Sequence, residues 1–185
     1  MKITGFEMDT EGVYEPREDS MLLAEVVKEK AFGEVLDVGT GSGIQAITAS
    51  STAKGVKGVD ISEKAVKTAK KNAETNKIKN VKFARSDLFG NVSGSFDVII
   101  FNPPYLPVEG ESEQWAGGEN GREVIKEFAS VVQDHLKPGG LILMVISSIT
   151  GLEETKKIFM ELGFSVEIAR KKKIPWETLY VLEIS

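Results

Sequence analysis

Short apolar runs alternate with stretches of helical periodicity along most of the chain, and this alternation limits the fold more than any other feature. It predicts strands over 34–39, 55–59, 81–84, 96–101, 141–146, 164–169 and 179–184, and helices over 18–30, 43–53, 63–75, 120–136 and 151–162. Strands that alternate with helices favour a mostly parallel sheet with helices on both faces. The last two strands have no helix between them, so we expect an antiparallel hairpin at one edge of an α/β fold.

The organisation of the chain is that expected of one domain over residues 1–185. Residues 1–16 are mixed and turn-rich, with Gly5, Gly12 and Pro16, and are expected to form an extended lead-in. No internal repeat, low-complexity linker or domain boundary is visible.

Composition excludes several classes of protein. The formal net charge of -5 argues against a protein whose main task is to coat nucleic acid. Cysteine is absent, which excludes thiol chemistry and is compatible with a reducing cytoplasm. Because His135 is the single histidine, we do not expect a self-contained metal site of the usual kind. No run approaches the roughly 18 apolar residues of a membrane helix. We expect a cytoplasmic protein without a metal.

A glycine-rich turn follows the first strand of the predicted sheet, with Gly39, Gly41 and Gly43 at alternate positions. Such a turn between a strand and a helix lets the backbone approach a ligand closely. The dinucleotide fingerprint G-x-G-x-x-G would need a third glycine at position 44, which is Ile44, so nicotinamide binding is disfavoured. A purely structural turn stays open as an alternative.

Three aspartates stand at the ends of successive predicted strands. Asp37 precedes the glycines and is placed to pair with a cationic amino group, while Asp60 ends the second strand and is placed to accept from a ribose diol. Asp87 follows the third strand, where it suits an exocyclic adenine amine. A phosphate-bearing nucleotide would be repelled by three carboxylates. Together the aspartates indicate S-adenosylmethionine, although each alone is compatible with a capping residue.

The segment Asn102-Pro103-Pro104-Tyr105 ends the apolar strand over 96–101. Two prolines stop the strand because neither donates to the ladder and both have fixed φ. An amide, a proline carbonyl and an aromatic ring are thus held at the carboxyl end of a strand, where open α/β sheets bind ligands. We interpret the segment as a clamp for an NH2 group that receives a methyl, with a rigid structural turn as the alternative.

These residues resemble the class I S-adenosylmethionine-dependent methyltransferases. The resemblance implies a Rossmann-like, seven-stranded, mostly parallel sheet with an antiparallel last strand. It assigns cofactor binding to residues at three strand ends and at the clamp: Asp37, Gly39, Gly41, Asp60, Asp87, Leu88 and Asn102. The Asn-Pro-Pro-Tyr motif implies methylation of a nitrogen conjugated to a π system, with Asn102 and the Pro103 carbonyl as hydrogen-bond acceptors and Tyr105 stacking on the planar group.

Flanking motifs narrow the resemblance to the HemK-type glutamine methyltransferases, specifically their short archaeal and eukaryotic branch. The stretches that carry it are 14–20, 115–123 and 177–179. The resemblance implies a hydroxyl at Ser20 that reaches the cofactor and a substrate glutamine in the Gly-Gly-Gln loop of a class I translation release factor. It also implies a small zinc-binding activator subunit as partner. Bacterial members carry an amino-terminal helical domain that recognises the release factor, and this sequence is expected to work without it.

Other acceptors and roles stay open at the level of sequence. Lysines cluster between residues 64 and 82, and residues 170–173 are all basic, so methylation of an exocyclic amine in DNA, tRNA or rRNA is the first alternative. Protein-lysine methylation needs a base to deprotonate the ammonium, and none is evident. A non-catalytic cofactor-binding subunit would not need the intact clamp. The acidic, glycine-rich segment 109–122 is interpreted as a lid, a contact for a basic substrate or an ordinary surface loop.

Overall fold

The computed structural model describes residues 1–104 and 121–185. Its strands are β1 (Lys2–Ile3), β2 (Phe6–Glu7), β3 (Glu34–Val38), β4 (Gly55–Asp60), β5 (Val81–Arg85), β6 (Phe96–Phe101), β7 (Leu136–Ser147), β8 (Val166–Lys173) and β9 (Thr178–Ile184). Its helices are α1 (Glu18–Lys30), α2 (Ile44–Ala49), α3 (Glu63–Thr75), α4 (Glu123–Val132) and α5 (Leu152–Glu161), with a 3-10 turn at Gln133–His135.

Seven strands form one sheet in the order β5-β4-β3-β6-β7-β9-β8. The strands β5, β4, β3, β6 and β7 are parallel to their neighbours, whereas β9 is antiparallel to both β7 and β8. The predicted fold class is therefore confirmed, including the reversed last strand and the terminal hairpin. The direction of the chain across the sheet reverses between β3 and β6, which makes their carboxyl ends the topological switch point.

Two apolar layers cover the two faces of this sheet. One layer packs α1, α2 and α3 against the sheet through residues such as Val27, Ile47 and Ala69. The other packs α4 and α5 through residues such as Phe128 and Phe159. All five of these side chains are fully buried. Because helices shield both faces, the central strands are apolar on both sides, which is why 98–101 and 141–146 have unbroken apolar sequences.

Local chemistry explains where some helices begin and end, and two helices differ from their predicted bounds by three residues or more. The Ser62 hydroxyl accepts from the Ala65 N–H at 3.3 Å, and α3 spans the predicted 63–75. The predicted helix 43–53 ends earlier, at Ala49, because the Ser50 and Ser51 hydroxyls donate to preceding carbonyls and the chain turns. The helix predicted over 120–136 spans Glu123–Val132 instead.

The segment Pro138-Gly139-Gly140 was expected to separate a helix from a strand, and that expectation is wrong. These residues lie inside β7, where Phe96 pairs with Leu136 and Val98 pairs with Leu141. One residue of β6, Asp97, therefore stands opposite four residues of β7. The turn-forming residues make a bulge that lets the strand continue, and the Asp97 carboxylate secures it with an ion pair of 2.7 Å to Lys137.

Both ends of the chain are more regular than the sequence suggested. β8 was predicted to end at residue 169, yet it pairs with β9 as far as Lys173, whose register partner is Thr178. The turn between the two strands is therefore 174–177. The lead-in contains the β1–β2 hairpin, whose last residue, Glu7, exchanges backbone hydrogen bonds with the side chain of Asn76, the residue that caps the carboxyl end of α3. The lead-in thus crosses the surface of α3 on its way to α1.

Candidate active site

The carboxyl ends of β3 and β6 lie side by side at the switch point. Val38 of β3 is the register partner of Phe101 of β6. Gly39 and Asn102 follow these residues, so the sheet brings together two motifs that are 63 residues apart in the sequence. The site therefore has two parts: the glycine turn of residues 39–43 and the acceptor clamp that begins at Asn102.

The glycine turn has an open side and a packed side. Gly39, Gly41 and Gly43 all have positive φ, of 65°, 54° and 85°. A Cβ on Gly41 would meet nothing within 4 Å, whereas a Cβ on Gly43 would lie 3.0 Å from the Ala69 Cβ. Gly43 is thus required by packing against α3, while Gly41 leaves open space above the turn that a ligand can approach.

Asp37 lies beneath this turn and is only 1% exposed. Its Oδ2 accepts from the Thr40 hydroxyl at 2.6 Å and from the Ala46 N–H at 3.1 Å. Burial raises the pKa of Asp37 to about 7, although both hydrogen bonds oppose this shift. The carboxylate therefore ties the turn to the first turn of α2 and is held near its titration midpoint at neutral pH.

Asp60 supports the turn from the neighbouring strand. Its Oδ2 accepts from the Gly41 N–H at 2.9 Å and its Oδ1 from the Ser62 N–H at 2.8 Å. Burial raises the pKa of Asp60, and these two backbone hydrogen bonds partly offset the rise. Each carboxylate oxygen has a second lone pair, so Asp60 retains the capacity to accept hydrogen bonds from a ligand.

The third predicted site segment follows β5. The Asp87 side chain is exposed, and its carbonyl accepts from the Gly90 N–H at 2.8 Å. Leu88 has a φ of 39°, which is uncommon for a residue with a side chain, and its carbonyl accepts from the Ser86 hydroxyl at 2.9 Å. The Ser86 N–H in turn donates to the Asp60 carbonyl at 3.0 Å, which joins this turn to the end of β4.

The acceptor clamp holds its amide in one orientation. Asn102 Nδ2 donates to Asp19 Oδ2 and to Ser20 Oγ, both at 3.2 Å. Because an ionised carboxylate only accepts, the amide nitrogen must face Asp19 and the oxygen must face away. Asn102 Oδ1 is buried and has no hydrogen-bond partner among the described residues. A buried acceptor without a partner is costly, which marks this oxygen as a place where a donor from a ligand fits.

The remaining clamp residues are placed unequally. Pro103 is buried and Pro104 is half-buried, as expected of a rigid turn beneath a site. Tyr105 lies outside the described residues, as does most of the segment 109–122. Ser20 is 2% exposed, and its hydroxyl donates to Asp19 Oδ1 at 3.3 Å while it accepts from Asn102. The described hydrogen bonds of the Ser20 hydroxyl thus join Asp19 to Asn102.

Sequence reasoning missed the residues that orient Asn102. Asp19 accepts from the Tyr14 hydroxyl at 3.1 Å and from the Ser20 N–H at 2.6 Å. Burial, followed by the charge of Asp19, raises the pKa of Tyr14. Gln45 Nε2 donates to the Ser20 carbonyl at 2.9 Å, which links α2 to α1. The only sequence feature that pointed to these residues was the motif over 14–20, and the prediction assigned a role in it to Ser20 alone.

Residues 12–174 match the methyltransferase small domain family. The chain belongs to this family. A putative protein N5-glutamine methyltransferase of Methanocaldococcus jannaschii is 43% identical to it over 178 residues, which are 92% of this chain and 90% of that protein. The human methyltransferase HEMK2 is 34% identical over 192 residues, covering 94% of this chain and 89% of its own length. These relatives match the branch that the flanking motifs indicated.

A solved structure of a methyltransferase complex also resembles this chain. The Mtq2–Trm112 complex of E. cuniculi, described as responsible for methylation of the translation termination factor eRF1, has a chain that superimposes with a TM-score of 0.76. The two chains are 25% identical over 93% of this one and 97% of that one.

Within residues 1–104 and 121–185, no helix is long and apolar enough to span a bilayer, and no group of three or more His, Cys, Asp or Glu residues is arranged to hold a metal.

Proposed function

We propose that this methyltransferase uses S-adenosylmethionine to methylate N5 of the glutamine in the Gly-Gly-Gln loop of a class I translation release factor. The observation that carries the proposal is Asn102 Oδ1, a buried acceptor without a described partner beside a glycine turn. A primary amide offers two N–H donors, so it suits an acceptor that is already held in place.

The residues of the glycine turn fit the cofactor. Gly41 leaves open space, Asp60 retains free lone pairs for a ribose diol, and Asp37 would be kept ionised by a cationic amino group nearby. Asp87 and Leu88 would hold the adenine. S-adenosylmethionine supplies an electrophilic methyl group on a sulfonium. Asn102 would border the cofactor as well as the substrate, and Ser20 would line the same side.

The clamp residues activate a weak nucleophile. The amide nitrogen of glutamine is a poor nucleophile because its lone pair is delocalised into the carbonyl. Asn102 Oδ1 and the Pro103 carbonyl would each accept one of its N–H groups, and Tyr105 would stack on the amide plane. Acceptors stabilise the nitrogen most when it becomes pyramidal and positively charged, so they favour the transition state over the ground state. The proton can leave afterwards to water, so no strong base is needed.

The nature of the substrate is supported by the relatives and by charge. Two of the compared proteins bear names or descriptions that specify glutamine or eRF1 methylation. The net charge of -5 disfavours a long nucleic acid as the main substrate. We infer that a small zinc-binding activator subunit assists this chain, since the E. cuniculi structure contains its Mtq2 chain in complex with Trm112.

A methyl-transfer assay with labelled cofactor tests the proposal. The acceptors are purified release factor, the same factor with the loop glutamine changed to alanine, and tRNA, each with and without a candidate activator. We expect label on the intact release factor and none on the alanine variant. Label on tRNA together with an unlabelled release factor would overturn the proposed substrate.

A further inference from the structure

The turn between β8 and β9 carries the most exposed of the large apolar side chains in the described residues. Trp176 is 90% exposed, and it follows three exposed lysines, Lys171, Lys172 and Lys173. Within residues 1–104 and 121–185 these lysines make no ion pair. We call residues 171–178 the β8–β9 tip. It presents an apolar ring and three cations to solvent.

The β8–β9 tip and the acceptor clamp lie at the same end of the sheet, beyond the carboxyl ends of β6 and β7. Leu179 of β9 pairs with Ser147, the last residue of β7, and β7 pairs with β6 directly before Asn102. With strands about 4.8 Å apart and a rise of about 3.3 Å per residue, the tip lies roughly 20 Å from Asn102. A standard protein interface of about 800 Å² per partner is about 30 Å across, so one bound protein can reach both.

The tip is anchored at its base. The Ile174 N–H donates to the Glu177 carbonyl at 2.9 Å, and the Glu177 carboxylate accepts from the Ser147 hydroxyl. The Ser148 N–H donates to the Thr178 carbonyl at 2.8 Å. Trp176 is therefore exposed on a turn whose two ends are tied to β7. Binding this turn costs less ordering entropy than binding a loose loop would.

We propose that the β8–β9 tip docks an acidic surface of the protein substrate, with Trp176 as the apolar anchor and the three lysines paired with carboxylates. This inference rests on the proposed function and adds a second contact to the same substrate. The tip is cationic on a chain of net charge -5, so an acidic partner is steered toward this end of the sheet. An exposed tryptophan that becomes buried is typical of the residues that dominate protein interfaces.

Two variants test this docking surface in the full chain with its activator. Trp176→Ala removes the anchor, and the double variant Lys171→Glu/Lys173→Glu reverses the charge. Each is assayed for methyl transfer to the whole release factor and to a short Gly-Gly-Gln peptide. We expect the KM for the whole factor to rise about tenfold or more with kcat within about twofold, because the tip does not touch the reacting atoms. The KM for the peptide should not change.

Matched controls separate docking from general surface effects. Phe32→Ala removes another exposed aromatic ring, and Lys28→Glu/Lys70→Glu reverses two exposed lysines on α1 and α3. Both controls should leave the KM for the release factor unchanged, and thermal unfolding should show that all four variants are folded.

The outcomes separate this inference from the proposed function. If the wild-type chain methylates the release factor but both tip variants keep its KM within twofold, the docking surface is wrong and the proposed function stands. An equal rise in KM for the factor and the peptide would also overturn the docking surface. RNA binding by the same tip variants is measured as well, and its loss together with normal methylation of the factor would also overturn the docking surface. A wild-type chain that methylates neither factor nor peptide would overturn both proposals.

Discussion

Asn72, which is buried, and Asn102, which is half-buried with a buried Oδ1, use their side-chain amides differently. Asn72 Oδ1 accepts from the Asp9 N–H at 2.8 Å, and its Nδ2 donates to the Asp9 carbonyl and, at 2.8 Å, to the Ser42 carbonyl. It thereby fastens the lead-in to α3 and to the glycine turn. Asn102 uses its Nδ2 in the same manner, on Asp19 and Ser20, but its Oδ1 is left without a described partner.

Under the proposed function, the difference distinguishes an amide that stabilises the fold from one whose oxygen binds the substrate. When all hydrogen bonds of a buried amide are made, they offset the free energy of its desolvation. An amide oxygen without a hydrogen bond leaves about 1–3 kcal/mol of that desolvation free energy uncompensated. Destabilising features of this kind are typical of functional sites, where binding or catalysis requires them. The comparison predicts that Asn72 affects stability and Asn102 affects turnover.

The largest effect is expected from Asn102→Ala. Loss of the acceptor oxygen should lower kcat about a hundredfold to a thousandfold, as the loss of one transition-state hydrogen bond does in other enzymes. The free energy of unfolding should change by less than about 1 kcal/mol, because an unsatisfied oxygen leaves together with two hydrogen bonds. Methyl-transfer kinetics measure kcat, and chemical denaturation measures the free energy of unfolding. Turnover at the wild-type rate would refute the role of the amide oxygen.

Asn72→Ala should give the reverse pattern. Three hydrogen bonds are lost and their backbone partners on Asp9 and Ser42 are left unpaired, so the free energy of unfolding should fall by about 2–3 kcal/mol. At saturating cofactor, kcat should remain within about twofold of the wild type. Chemical denaturation and steady-state kinetics provide the measurement. A large loss of kcat with intact stability would erase the distinction between the two amides.

The effect with the least bearing on turnover concerns the pH dependence of stability at Asp37. Its pKa is raised to about 7 in the folded chain, so the folded state binds a proton that the unfolded state has released above about pH 4. The stability contributed by this group is present at low pH and is lost as pH rises through about 7, by up to about 1.4 kcal/mol per pH unit.

The variant Asp37→Asn cannot titrate at this position and serves as the reference for that dependence. The difference in free energy of unfolding, wild type minus variant, should decrease between pH 5 and pH 8 in the absence of cofactor. Denaturation at several pH values measures it. A difference that stays constant with pH would show that Asp37 does not titrate in this range.

The sequence predicted the fold well wherever local chemistry agreed with tertiary packing. The strand over 96–101 and the helix over 63–75 were located within a residue, because an apolar run and a Ser62 cap are local signals. Pro138 and the two glycines after it misled the prediction, since a bulge opposite Asp97 lets turn-forming residues remain within a strand. Such a bulge depends on the neighbouring strand, which sequence periodicity cannot reveal.

The site was predicted less completely than the fold. The motif at Asn102 and the aspartates at the strand ends were recognisable because their positions follow strands directly. The orientation of the Asn102 amide depends on Asp19, which lies 83 residues away in the sequence. No local pattern indicates which end of an amide faces a carboxylate, so the free oxygen emerged only from the three-dimensional arrangement.

A double-mutant cycle on Asp19 and Asn102 tests the central claim that Asp19 acts by keeping Asn102 Oδ1 available. Asp19→Asn introduces a donor that can turn the Asn102 amide around, and it should lower kcat about tenfold to a hundredfold while the dissociation constant of the cofactor stays within about threefold. Once Asn102 is alanine, Asp19→Asn should have almost no further effect on kcat. If instead the two losses multiply in the double variant, Asp19 acts independently of Asn102 and the account of the acceptor clamp is contradicted.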